Sequence, residues 1–353
     1  MAADLTLLRL DGDGIGPEIM AATLTVLDAV RPVMSRGVTV EAADIGFKAL
    51  EAQGTTIPDD VIARARAADG VLLGPVSHNA YPPRDAGGQN PSGVLRGALD
   101  LYANIRPARG WDGLPTRSAT RIDLVVVREN LEGFYADRNM HMGPGEVMPV
   151  PGVALATRKI TEAGSRRIAQ AAFEIAMQRP ARKVTAVHKA NVMRLSDGLF
   201  LETVRDVARD FPDVIYEEEL VDASAALLVR DAARFDVLLT TNMFGDILSD
   251  LAAELAGGLG LAGSLNQGPQ AAAAQAQHGS APAIAGQDVA NPTSLILSLA
   301  MLLHHLGELR AAERITAAIA ACLARPEYRT ADLGGPLGTR AFAATVVQHM
   351  EGT

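Results

Sequence analysis

Five short apolar runs recur along the chain: Leu5–Leu10, Val71–Leu73, Leu124–Val127, Val184–Val187 and Phe235–Leu239. Between them lie longer stretches with helical spacing of apolar residues, among them Glu162–Gln178, Ser196–Arg209 and Pro292–Leu306. Strand-like runs alternating with helices predict an α/β fold with a large, twisted, largely parallel sheet, because parallel neighbours need a crossover that is usually a helix. A length of 353 residues exceeds what one hydrophobic core normally serves, so two lobes are expected. Pro17 after Gly16, with Glu18 in the first turn, marks one helix start; Asn291–Pro292 supplies a cap and a first-turn proline for another. The Ala/Gln-rich Gln270–Gln277 segment reads as a loop or short helix.

Polar residues collect at the ends of the apolar runs. Arg128-Glu-Asn follows Leu124–Val127, His188-Lys-Ala-Asn follows Val184–Val187, and Thr240-Thr-Asn follows Phe235–Leu239. Ligands of open α/β sheets bind beyond the carboxyl ends of the strands, so these clusters predict one convergent active site. Just past the third lie Asp246 and Asp250. If Gly245 opens a helix, the two carboxylates project from one face, and like charges at that spacing call for something positive between them. A hard cation such as Mg2+ or Mn2+ suits their oxygens. The alternative is that Asp246 caps the helix and Asp250 is merely solvated.

Gly12-Asp-Gly14-Ile-Gly16 follows the first strand and opens a helix, but its spacing is not the G-x-G-x-x-G dinucleotide fingerprint. It is a strand-to-helix turn, with direct cofactor contact as the other possibility. A net charge of −9 speaks against a nucleic-acid partner and leaves room for a small anion in a local basic pocket. One cysteine, the absence of a basic-then-apolar leader and the shortness of the longest apolar run, Leu295–Leu303, lead to the expectation of a cytoplasmic protein with no membrane segment.

Taken in order, several stretches resemble the metal-dependent β-decarboxylating dehydrogenases, the isocitrate/isopropylmalate dehydrogenase family. They are Gly12–Glu18, Leu95-Arg96 through Arg106-Pro, Arg128-Glu-Asn-Leu-Glu-Gly-Phe-Tyr135, Val187–Phe200, Gly245–Asp250, Gly257–Leu261, His278–Pro282 and Ala290–Pro292. The resemblance implies a two-lobed fold, with residues 1–98 and 253–353 forming a cofactor-binding lobe. Residues 99–252 would form a central lobe with the metal site, the dimer interface and a dimerising arm at about 137–158, which covers the Gly/Pro-rich Met140–Ala156.

The resemblance further implies that Arg96, Arg106 and Arg128 grip the carboxylates of a malate-like di- or tricarboxylate, a task suited to bidentate guanidinium pairing. Asp222, Asp246 and Asp250 would hold Mg2+ or Mn2+, with Asp222 and Lys189 donated by the partner in a homodimer with shared active sites. Lys189 would act as general base and Tyr135 as the acid that protonates the enolate carbon. Asn191, His278, Gly279, Ser280, Ala281 and Asn291 would contact NAD. The reaction implied is hydride transfer from a 2-hydroxy acid followed by loss of its β-carboxylate; the alternative is a non-catalytic regulatory subunit of a heteromeric relative.

The chain departs from the family pattern in three places. Asp222 is followed by Ala-Ser-Ala-Ala-Leu rather than by Asn, the usual Phe-Glu before His278 is replaced within Ala-Gln-Ala-Gln277, and Ala283 stands where Asp is usual. Where isopropylmalate enzymes carry a leucine pair, this chain has Ser92 and Gly93. With Asn90, that gives a polar surface forgoing about 1–2 kcal/mol of apolar burial on an isopropyl group. The expected substrate is therefore a malate with a small or polar 3-substituent, with Asn90 and Ser92 beside it; the alternative is that Asn90-Pro-Ser92-Gly is a loop capping the next helix, with specificity set elsewhere.

Overall fold

A computed structural model describes residues 3–135 and 145–351. The chain forms two compact units, Met1–Leu99 with Trp111–Pro115 and Gly258–Thr353, and Asp100–Gly110 with Thr116–Gly257. The first unit opens with β1 (Leu5–Leu10), α1 (Gly16–Val30), β2 (Val38–Ala43), α2 (Phe47–Gln53), α3 (Asp59–Ala67), β3 (Gly70–Leu73) and α4 (Pro91–Ala98). The second holds β4 (Ala103–Arg109), β5 (Asp123–Glu129), β6 (Glu146–Val150), β7 (Val153–Ala156), α5 (Glu162–Met177) and β8 (Lys183–His188). It continues through α6 (Ser196–Ala208), β9 (Ile215–Leu220), α7 (Val221–Asp231), β10 (Val237–Thr240) and α8 (Asn242–Ala256). The chain then returns to the first unit with β11 (Leu265–Gln267), β12 (Ala272–Gln275), α9 (Thr293–His305), α10 (Leu309–Leu323) and α11 (Thr339–Glu351).

All five apolar runs are strands, and the three helical stretches are α5, α6 and α9 within a residue or two at each end. In the first unit the strands run β2-β1-β3-β12-β11, parallel except for the β11–β12 pair. In the second the order is β4-β5-β10-β8-β9, parallel except for β4–β5. Each unit buries its own core. Leu5, Ile19, Val26, Leu72, Leu295 and Ile315 belong to that of the first, and Val127, Phe173, Val184 and Phe200 to a cluster of the second.

Gln270–Gln277 is not a loop or helix: its middle is strand β12, between β3 and β11. Alanine is a weak strand former, but Ala272, Ala273 and Ala274 are almost fully buried and α9 packs across them. The small side chains let the helix approach, so tertiary packing overrides propensity. That helix is itself buried nearly all round, 10 of its 13 residues, which accounts for the apolar Leu295–Leu303 run as core. No helix among the described residues is long and apolar enough to cross a membrane. Its start differs slightly from expectation: Pro292 occupies the cap position, and Asn291 accepts from the Thr293 amide at 3.0 Å.

The span expected to be an arm includes the antiparallel hairpin β6–β7, paired Glu146 to Ala156 and Val150 to Val153. Val147, Met148, Val150, Val153 and Leu155 on it are exposed. The first part of that span, up to residue 144, lies outside the described residues.

Candidate active site

In the second unit the three polar clusters come together because their strands are adjacent. β10 lies between β5 and β8 with parallel registers that set Thr240 beside Arg128 on one side and Val187 on the other. Helix α8 leaves the end of β10 directly, starting at Asn242 rather than at Gly245. Asp246 is therefore inside the helix, its cap position is held by Thr241, and the capping alternative for Asp246 falls away. Gly245 allows the helix to pass so close: a Cβ there would lie 2.3 Å from Thr240 Oγ1 and 2.6 Å from Arg128 Cγ.

Asp246 and Asp250 do share a positive neighbour, and in this chain it is Arg106 from β4. Its Nη1 lies 3.4 Å from Asp246 Oδ1, 3.1 Å from Asp250 Oδ1 and 2.8 Å from Ser249 Oγ. Arg128 also donates to Asp246 Oδ1, and its Nη2 donates to Asn242 Oδ1 at 2.7 Å. Burial, and then the neighbouring Arg128, push the Arg106 guanidinium down to about 10, against the pull of Asp246, Asp250 and Tyr135. It remains a cation at neutral pH. Tyr135 completes the group, donating to Asp246 Oδ2 at 3.3 Å with its ring 5.7 Å from the Arg128 guanidinium carbon. Two fixed cations, two carboxylates and a phenol thus meet where the parallel strands end, an arrangement able to bind an anionic acid and pass protons.

Lys189 and Asp222 form a separate pair, Nζ to Oδ1 at 2.5 Å. Asp222 is exposed, and the ammonium holds its carboxyl below the usual carboxylate range. Among the described residues no three His, Cys, Asp or Glu side chains are grouped to hold a metal ion. The three aspartates expected around the metal are thus not assembled within one chain: Asp222 pairs with Lys189, apart from Asp246 and Asp250. The donor chemistry fits a hard divalent cation: carboxylate oxygens, with Asp246 and Asp250 each partly exposed. Asn191 is exposed in the turn after β8.

Beneath Lys189 lies a device that the sequence did not reveal. Asp197 is fully buried; its Oδ2 accepts the Lys189 amide at 2.6 Å, and its Oδ1 is 2.6 Å from Arg158 Nη1. Arg158 also reaches Ser196 Oγ at 2.8 Å and Thr241 Oγ1 at 3.0 Å, tying the Lys189 turn to the start of α8. A lone arginine and a helix-start aspartate in sequence carry no sign of such a pairing.

In the first unit Asn90 caps α4, accepting from the Gly93 amide at 3.3 Å. Ser92 is buried and donates to Gln275 Oε1 at 2.9 Å, while Arg96 Nη2 donates to the same oxygen at 3.4 Å. Gln275 was also missed in sequence, hidden in the alanine-rich run.

The Gly12–Gly16 turn serves packing. Gly14 has φ +57, and a Cβ there would sit 2.0 Å from the Ser280 carbonyl oxygen, which accepts from the Ile15 amide at 2.9 Å. Ser280 Oγ meets Ser77 Oγ at 2.7 Å. The turn therefore clamps the His278–Ala281 segment. Within that segment Ala281 adopts φ +37, a left-handed conformation that costs a non-glycine residue about 1–2 kcal/mol. Burial lowers the His278 pKa, so its ring is neutral at pH 7. Nδ1 then donates to the Gly279 carbonyl at 3.0 Å, which leaves the buried Nε2 an acceptor without a partner. An orphaned acceptor next to a strained backbone fits a cofactor that brings a donor. Gly279 and Ala283 are exposed; Asn291 spends its Nδ2 on Asp332 at 3.0 Å.

The family model described as isocitrate/isopropylmalate dehydrogenase matches residues 6–348. An isocitrate/homoisocitrate dehydrogenase of Thermus thermophilus is 42% identical over 345 residues, 97% of this chain and 97% of the relative. A 3-isopropylmalate dehydrogenase of Archaeoglobus fulgidus is 40% identical over 345 residues, covering 97% and 98% respectively. The crystal structure of isocitrate dehydrogenase from Methylococcus capsulatus superposes with a TM-score of 0.88 at 39% identity, over 98% of this chain and 99% of that one. With the match running from the first strand into the last helix, the chain belongs to the isocitrate/isopropylmalate dehydrogenase family of decarboxylating dehydrogenases.

Proposed function

We propose that this enzyme oxidatively decarboxylates a malate carrying a small or polar 3-substituent, using NAD and Mg2+ or Mn2+, as a homodimer. The observation that carries the proposal is the cluster of Arg106, Arg128, Tyr135, Asp246 and Asp250 at the strand ends. Asp246 and Asp250, with Asp222 from a second copy, would hold the cation, which when bound supplies Lewis-acid stabilisation of developing negative oxygen. NAD, when bound, would supply the hydride acceptor.

The chain's own residues do the rest. Arg106 and Arg128 turn from the aspartates to the substrate carboxylates, and their burial makes that pairing strong. Arg96 adds a third guanidinium. Lys189, donated with Asp222 by the second copy, takes the hydroxyl proton, and Tyr135 returns a proton to carbon after carbon dioxide leaves. The dimer is supported by the apolar residues exposed on β6–β7 and by Ile247, exposed on α8 next to Asp246. A regulatory subunit would have no need of Tyr135, Lys189 and all three aspartates.

NAD is preferred over NADP because binding a 2′-phosphate needs counter-charges, and Ala283 supplies none. The test is initial rates with isopropylmalate, isocitrate, homoisocitrate, malate and tartrate, each with NAD or NADP and Mn2+. Turnover with NAD that disappears on exhaustive EDTA treatment and returns with Mn2+ is expected. Full activity after EDTA, or a higher kcat/KM with NADP, would overturn it.

A further inference from the structure

Gln275 closes β12 with its side chain half-buried and its amide orientation fixed by chemistry. A guanidinium only donates, so the atom facing Arg96 Nη2 at 3.4 Å must be the carboxamide oxygen. The same oxygen lies 2.9 Å from Ser92 Oγ, so that hydroxyl must donate to it as well. Both acceptor directions of Oε1 are then used, and the Gln275 NH2 group is left with two donors and no partner among the described residues. Ser92, committed as a donor, has only lone pairs left to offer.

We propose that Gln275 is a specificity-determining residue: its NH2 group reads an acceptor oxygen in the 3-substituent of the substrate, while its oxygen positions Ser92 and Arg96. The proposal deepens the assignment of Arg96 and Ser92 as substrate residues and rests on it. A neutral amide accepts from Arg96 without neutralising it. A carboxylate- or hydroxyl-bearing side group satisfies the amide donors. An isopropyl group desolvates them without replacement, and sites built to hydrogen-bond discriminate most strongly against partners lacking the matching group. The substrate class selected is a malate with an oxygen-bearing 3-substituent.

The experiment compares wild type, Gln275→Met and Gln275→Glu with isocitrate, isopropylmalate and malate as probes, alongside KM for NAD. Methionine keeps the volume and removes the amide; glutamate still accepts from Ser92 and Arg96 but has no NH2 and repels an anionic side group. Wild type should favour isocitrate over isopropylmalate. In both variants kcat/KM for isocitrate should fall by about tenfold or more, mainly through KM. Disturbing Ser92 and Arg96 falls on every substrate alike, so the signature is the ratio: malate, which lacks the side group, should lose about tenfold less than isocitrate in each variant, as should isopropylmalate with Gln275→Met. Equal losses on all three acids, a change confined to KM for NAD, or an unaltered isocitrate preference in a folded Gln275→Glu enzyme would overturn the assignment. A wild-type enzyme inactive on every acid would instead overturn the proposed function, and this inference with it.

Discussion

Asp197→Asn isolates what a buried carboxylate does for the turn that carries Lys189. Asp197 Oδ2 accepts the Lys189 amide at 2.6 Å, while its Oδ1 lies 2.6 Å from Arg158 Nη1 as an ion pair rather than an aligned hydrogen bond. Asparagine has the same shape but one oxygen. Turned one way its NH2 faces the guanidinium; turned the other it faces the Lys189 N–H, so one donor always meets a donor. With the Asp197 side chain fully buried and that of Arg158 9% exposed, solvent cannot make up the loss. Removing one partner of such a pair costs about 3–5 kcal/mol. The assay is urea unfolding followed by circular dichroism, together with kcat and KM. Replacing both partners, Arg158→Met with Asp197→Leu, should recover most of the stability because no unpaired charge remains. It should not recover kcat, because the Lys189 amide still lacks its acceptor and the turn carrying the lysine is no longer pinned. An Asp197→Asn enzyme within about 0.5 kcal/mol of wild type, or a double variant with full turnover, would refute the argument.

Gly245→Ala sets helix propensity against packing. Propensity alone favours alanine by about 1 kcal/mol, but the added Cβ would lie 2.3 Å from Thr240 Oγ1 and 2.7 Å from Arg128 Cβ. Overpacking costs about 1–3 kcal/mol, so net destabilisation and a raised substrate KM are expected; a more stable variant by urea melt would count against this. Glu129 gives a pH test. It is buried, and burial pushes its carboxyl up from 4.5 to about 7 despite the pull of the Leu131 and Glu132 amides. A folded-state pKa above the unfolded one means that its contribution to stability is full below pH about 4.5 and is lost as pH rises through about 7. Glu129→Gln should therefore gain on wild type, in unfolding free energy, as pH is raised across that window; a constant difference would show that Glu129 does not titrate there.

The architecture was largely legible because a strand's apolar run and a helix's periodic face are local properties of the chain. Leu5–Leu10 is β1 residue for residue, and Arg128, His188 and Thr240 all fall at strand ends. Placing those ends side by side needed only the parallel crossover rule. The alanine-rich segment was illegible for the opposite reason. Ala272–Gln275 is a strand because α9 and the neighbouring strands leave room for nothing larger, a fact about neighbours distant in sequence. Likewise, Asp246 and Asp250 announced a need for positive charge through their spacing, but only the β4–β5 pairing and the close approach of α8 supply Arg106 to both. The Arg158–Asp197 pair and the Gln275 amide belong to the same class. A side chain's chemistry is written in the sequence, but its partner lies 39 residues away for Arg158 (an ion pair) and 183 for Gln275 (a hydrogen bond), and that choice is made only when the chain has packed.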